Sequence, residues 1–186
     1  GNGAAGPTFD CLKQRLSDLS CPLIFEHMFS EPDGNFPNGV PNPMNSENQM
    51  PTRVKVLELS ADLGVAFDGD FDRCFICDEK GNFIEGEYIV ALLSEIFLKR
   101  EAGATIVHDP RVIWAIQEAV RRNGGNFVQS ITGHAFFKEK IRVSNAIYGG
   151  EMSAHHYFRD FCFCDSGMLP WLLIVEFMSL QDLPLS

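Results

Sequence analysis

Between Tyr88 and Leu180 the apolar residues switch repeatedly between helical spacing and short continuous runs, and this alternation limits the possible folds more than any other property of the chain. The spacing predicts helices over Tyr88–Lys99 and Val112–Asn123, the second stopped by Gly124-Gly125, one after Gly133 and one over Met168–Leu180. Between them the runs Thr105–His108, Asn126–Ile131, Ala146–Tyr148 and Tyr157–Phe163 read as strands. Upstream, Pro7–Leu19 reads as a helix with Phe9, Leu12, Leu16 and Leu19 on one stripe, and Pro22–Phe29 as a strand. The segment Pro32–Met50 is too rich in Pro, Asn and Gly for a regular element. A helix is expected over Thr52–Leu63, ended by Gly64, then strands Val65–Phe67 and Cys74–Cys77 and a turn at Asp78–Asn82. Strands alternating with helices imply an α/β fold: two consecutive three-layer α/β domains with mixed, largely parallel sheets, 1–82 and 83–186, parted near Gly81–Gly86.

One loop in this pattern carries unusual chemistry. After the apolar run Val65-Ala66-Phe67 come Asp68-Gly69-Asp70-Phe71-Asp72-Arg73. Alternation in an extended segment turns all three carboxylates to one side, where they repel unless a cation lies among them. A hard, oxygen-seeking ion such as Mg²⁺ meets that need, so Asp68, Asp70 and Asp72 are candidate metal ligands. Arg73 adds a planar fork suited to a phosphate. Glu79 stands at the twelfth position from Asp68, as in an EF-hand, but Arg73 holds the sixth, where that loop needs glycine, and the flanks read as strands.

Three further segments are polar at the ends of predicted elements. In Gly150-Glu151-Met152-Ser153-Ala154-His155 a carboxylate and a hydroxyl two residues apart suit adjacent hydroxyls of a sugar, and His155 adds a ring nitrogen; a polar strand-end loop explains the same letters. Thr132-Gly133-His134 opens a helix bearing Lys138, Lys140 and Arg142, so His134 could meet an anion or move a proton. Asp109-Pro110-Arg111 offers another cation at an expected helix start. The run Gly1-Asn2-Gly3-Ala4-Ala5-Gly6, with Glu26 further on, fits dinucleotide spacing and would suit a nicotinamide-dependent dehydrogenase, but two tight-turn glycines before a helix account for it equally well.

A net charge of −10 argues against a nucleic-acid partner, which needs a basic face, yet leaves room for a small anion in a cationic cleft. No apolar run approaches the roughly 20 residues that cross a bilayer, so no membrane association is expected. The six cysteines are expected to be reduced thiols of a cytoplasmic protein; Cys74 and Cys77 would point to opposite faces of a strand and could not chelate together.

In order and spacing, Asp68–Arg73, Thr132–His134 and Gly150–His155 resemble the motifs of the α-D-phosphohexomutases, most nearly their bacterial phosphomannomutase and phosphoglucomutase branch. Gly1–Gly6, Pro32–Gly39 and Ala146–Asp160 agree as well, so the resemblance covers nearly the whole chain. It implies Mg²⁺ on Asp68, Asp70 and Asp72, Arg73 and His134 at the reacting phosphate, and Arg111, Glu151, Ser153 and His155 on a hexose phosphate. Glu151 and Ser153 would hold the 3- and 4-hydroxyls, which have the same orientation in glucose and mannose, and Met152 follows the mannose/glucose pattern. It also implies phosphoryl exchange through a phosphoserine and a 1,6-bisphosphosugar. The phosphoserine loop, of Thr-x-Ser-His-Asn-Pro type, and a later phosphate-gripping loop have no counterpart here. The chain therefore corresponds to the second domain, without its opening strand, and the third domain of a four-domain enzyme, and alone it is expected to be inactive. The alternative is a non-catalytic sugar-phosphate or metal-binding module derived from such an enzyme.

Overall fold

The computed structural model describes residues 2–111 and 113–186. Helix α1 (Ala5–Asp18) carries Pro7 in its first turn, where no intrahelical N–H is needed. Two glycines before and within it serve close backbone approach. A Cβ on Gly6 would lie 1.8 Å from the Ser30 carbonyl oxygen, and one on Gly3 would lie 2.8 Å from that of Gly69. Chain, not cofactor, fills the space the dinucleotide reading would need; Gly1 of that motif lies outside the described residues.

The expected strand Pro22–Phe29 does not form. Leu23 and Phe25 do pack on the core, but the segment joins neither sheet and Ile24 is fully exposed. Apolar alternation orients side chains without supplying a neighbour for the backbone. Helix α2 (Ser46–Leu59) starts before Pro51 rather than after it, held to the preceding loop by Asn48, which donates to the Val40 and Asn42 carbonyls, each at 3.0 Å. It ends at Ser60, in the left-handed region (φ 49°), so Leu63 and Gly64 belong to strand β1 (Leu63–Phe67). Gly64 does not end the helix; it lets the strand pass beneath it, because a Cβ there would meet Val56 at 2.7 Å. Strand β1 pairs antiparallel with β2 (Cys74–Asp78), from Leu63↔Asp78 to Phe67↔Cys74, so the acidic loop is the tip of a hairpin. These two strands are the only ones described in the first 82 residues, and they pair antiparallel.

The remainder forms the expected three layers. Helices α3 (Gly86–Arg100), α4 (Trp114–Arg122), α5 (His134–Ser144) and α6 (Met168–Gln181) surround a mixed sheet of β3 (Thr105–His108), β4 (Asn126–Gln129), β5 (Tyr148–Gly150), β6 (His156–Phe158) and β7 (Cys164–Asp165). Its order is β4-β3-β5-β6-β7; β3 runs parallel to β4 and β5, while β5–β6 and β6–β7 are antiparallel. Period-2 alternation divides the faces. Ile106, Tyr148 and Phe158 join residues of α3, α4 and α6, whereas Val107 and Tyr157 pack with Phe137 and Ile141 of α5. The expected single strand Tyr157–Phe163 is broken: after β6 come a 3₁₀ turn, Arg159–Phe161, and two residues with positive φ, Cys162 and Phe163. There Arg159 donates to both carboxylate oxygens of Glu101, at 3.0 and 2.7 Å, and the chain turns. Helix α4 begins at Trp114, not at Pro110, because Asp109 accepts the Arg111 N–H at 2.7 Å and makes a turn there; the expected first helical residue, Val112, lies outside the described residues.

One apolar cluster runs through both parts of the chain, from Cys74 and Ile76 of β2 to Leu93, Ile106, Trp171 and Ile174. Phe9 and Phe25 close it against Trp171, with ring centroids 5.6 and 6.1 Å away. All six cysteines are free thiols, and none joins a metal-competent cluster among the described residues. No described helix is long and apolar enough to cross a membrane.

Candidate active site

Two hairpin tips meet. The first, 68–73, closes on itself: buried Asp68 accepts the Arg73 backbone N–H at 3.2 Å and its Nε–H at 2.6 Å. Phe71 turns the chain with φ 55°, a conformation few large side chains adopt. One carboxylate oxygen from each of Asp68, Asp70 and Asp72 lies within 4.8 Å of the other two. Burial raises the Asp72 pKa; His155 opposes that, while Asp68, Asp70 and Asp165 add to it by repulsion. Its Oδ1 is buried without a hydrogen-bond partner. Crowded carboxylates with an orphaned oxygen are a donor set that fits a hard divalent ion.

The second tip, 151–155, joins β5 to β6, with Ala154 in the left-handed region (φ 69°). Its edge lies along the first tip: Arg73 bridges antiparallel to His155, and the Cys74 N–H donates to the Ala154 carbonyl at 3.2 Å. Glu151 is buried and accepts from the Gly133 N–H at 2.9 Å and the Tyr157 hydroxyl at 2.8 Å, with His155 Nδ1 at 3.4 Å. Burial pushes its pKa up, but these three donors together hold it down, at about 2. The long His155 contact is the one a sugar hydroxyl could replace. Ser153 Oγ lies 2.9 Å from His155 Nδ1. Burial lowers the His155 pKa, and Glu151 and Asp72 more than reverse it, so the ring takes a proton more readily than a free histidine.

His134 heads α5 after Gly133, whose φ of 113° suits only glycine. Its Nε2 is 3.8 Å from Asp72 Oδ2, its Nδ1 is 3.1 Å from Asp165 Oδ2, and its ring is 4.5 Å from that of His155. Arg111 is half-exposed and pairs at 2.7 Å with fully buried Asp109, which also accepts the Met152 N–H at 3.0 Å. Every candidate thus belongs to one connected region, with Arg111 tied in through Asp109.

Sequence reasoning missed Asp165, Asp109 and Tyr157 as parts of this network. Asp165 also accepts from Lys138 at 2.8 Å; burial raises its pKa, and the Lys138 bond helps bring it below the usual carboxylate range. The available signal was an acid interrupting the aromatic run Phe161-Cys162-Phe163-Cys164 just before a helix.

A hairpin-borne acid triad facing a polar loop on a mixed α/β/α sheet defines a class of site suited to a metal and a polyhydroxylated anion. The chain belongs to the phosphoglucomutase/phosphomannomutase family: residues 1–81 match its alpha/beta/alpha domain II and residues 85–186 its alpha/beta/alpha domain III. It is 58% identical over 181 residues to the phosphomannomutase of Salmonella typhimurium, covering 97% of this chain and 40% of that protein. With the Vibrio cholerae phosphomannomutase the identity is 59% over 187 residues, covering 100% and 40%. A crystal structure of a family member from Burkholderia thailandensis superposes with a TM-score of 0.81 at 36% identity, over 92% of this chain and 37% of that one. The chain therefore spans about 40% of the length of the curated relatives it matches.

Proposed function

We propose that the chain works within a cytoplasmic intramolecular phosphotransferase that interconverts hexose 1-phosphate and hexose 6-phosphate, with mannose and glucose as the sugars. In that enzyme residues 1–82 form the metal-bearing second domain and residues 83–186 the sugar-binding third. The observation that carries this reading is the backbone bridge between Arg73 and His155, which aligns a metal-competent tip with a hydroxyl-binding tip. Mg²⁺ held by Asp68, Asp70 and Asp72 would supply positive charge to a phosphoryl group in transfer.

The chain's own residues then divide the work. Arg73 has its Nε committed to Asp68 and its Nη1 only to the weak acceptor Met44 Sδ at 3.5 Å, so its outer nitrogens can turn to phosphate oxygens. Ser153 and Glu151 take the 3- and 4-hydroxyls, the sugar replacing the 3.4 Å contact between Glu151 and His155. Arg111 steadies the phosphate distant from the reaction. His134, between Asp72 and Asp165, passes a proton at the reacting hydroxyl. The phosphoryl group is exchanged with a serine supplied by another part of the enzyme, through a 1,6-bisphosphosugar.

In the full-length protein, Mg²⁺-dependent conversion of mannose 1-phosphate to mannose 6-phosphate is expected in a coupled assay primed with a hexose 1,6-bisphosphate. Asp70→Asn should lower kcat by about a hundredfold or more, with an unchanged melting temperature because Asp70 is exposed. Full turnover by that variant in Mg²⁺ would remove the proposal.

A further inference from the structure

The two histidines of the site share a disposition that the oxygen triad does not explain. Each has one ring nitrogen against a carboxylate and the other toward Asp72. In His155, Nδ1 lies 3.4 Å from Glu151 Oε2 and Nε2 lies 3.4 Å from Asp72 Oδ2. In His134, Nδ1 lies 3.1 Å from Asp165 Oδ2 and Nε2 lies 3.8 Å from the same Asp72 oxygen. A carboxylate behind the ring is how a metal-binding imidazole is fixed in tautomer and direction. Ligand atoms drawn from Asp72, His134, His155 and Asp165 all come within 4.8 Å of one another. Bonds of about 2.0–2.1 Å around a tetrahedral ion place ligands about 3.4 Å apart, near the separations seen here.

Charge points the same way. Arg73 is paired with Asp68 and Lys138 with Asp165, whereas Asp72 has no arginine or lysine partner among the described residues. Its Oδ1 is buried without any partner. The carboxylate both imidazoles address thus has them as its only described ion-pair partners.

We propose that His134 Nε2, His155 Nε2 and Asp72 Oδ2 form a second metal site, adjoining the oxygen triad and sharing Asp72 with it, that takes a borderline divalent ion such as Zn²⁺ or Co²⁺. Asp165 orients the His134 ring from behind, and Ser153, at 2.9 Å from Nδ1 and with Glu151 beyond it at 3.4 Å, orients that of His155. Two nitrogens and one oxygen suit such ions, while Mg²⁺ prefers an all-oxygen shell, so the neighbouring sets differ in the metal they select. An ion here takes up both imidazoles and a magnesium ligand, which makes the site inhibitory toward the function proposed above; the binding itself does not depend on that function.

The test is a Co²⁺ titration of the protein in millimolar Mg²⁺, followed by visible absorption and proton NMR. One equivalent should bind with micromolar affinity, shifting the ring signals of two of the five histidines. His134→Gln and His155→Gln should each weaken binding at least about tenfold, while Asp70→Asn, which removes a triad carboxylate that is not a ligand here, should weaken it less than either. Easy displacement of Co²⁺ by Mg²⁺ would overturn the proposal, as would binding lost in Asp70→Asn but kept in both histidine variants. If either histidine variant fails to fold, the wild-type spectrum decides, and absence of shifted histidine signals overturns it.

Discussion

His156 shows how one buried side chain can make the fold sensitive to acid. It is wholly enclosed at the start of β6, with Nδ1 2.7 Å from the Tyr148 hydroxyl and Nε2 without a partner. Burial, with repulsion from His155 added, lowers its pKa to about 3 from an ordinary 6.5. Below pH 6.5 the unfolded chain binds a proton that the folded chain refuses until about pH 3, so stability falls as pH drops through that window. The slope should approach 1.4 kcal/mol per pH unit at about pH 5. His155, with its raised pKa, acts above this window, and Glu151, with its lowered one, below most of it. Urea midpoints at about pH 6.5 and 5 should therefore converge in His156→Gln relative to wild type; equal pH dependence in both would count against this account. None of this was legible beforehand: His155-His156 reads as a polar pair, and only the hairpin register turns one ring toward the acidic loop and the other into the core.

Between elements, backbones touch where side chains are missing. Gly167, just before α6, leaves room for the acidic loop: a Cβ there would lie 2.4 Å from the Phe71 carbonyl oxygen and 2.9 Å from that of Arg73. Its φ of −80° suits any residue, so the constraint is steric alone. Gly167→Ala should displace the acidic tip, costing about 1–3 kcal/mol in denaturant stability and about 10- to 100-fold in activity of the full-length enzyme. Gly34→Ala, with nothing within 4 Å, serves as the control and should change neither. Periodicity located the helices and β3–β4 of the second half because each has a complete apolar stripe or run. It failed at Pro22–Phe29 and Tyr157–Phe163, where aromatic and branched residues look like strand but the partner strand or the turn is decided by distant chain. The acidic loop was legible because its three carboxylates fall within five consecutive residues. Asp165 was not, because only sheet order brings β7 beside α5.

Across the whole molecule, a boundary near residue 82 in the sequence does not become a boundary in the core. Trp171 of α6 packs on Phe9 of α1, on Phe25 and, within the same cluster, on β2. Trp171→Ala should cost about 3–5 kcal/mol, and the chain should still unfold in one transition, with coincident circular dichroism and fluorescence curves. Two separated transitions would mean that the halves are independent. Trp171→Phe should cost less, since it also removes a buried indole N–H that lacks a partner. The ladder joining Arg73 and Cys74 to His155 and Ala154 has one more implication at this scale. In the enzyme proposed above, occupancy of either tip would stiffen the strand edge the other depends on, so ion and sugar phosphate would each tighten the other's hold, by the same factor in both directions.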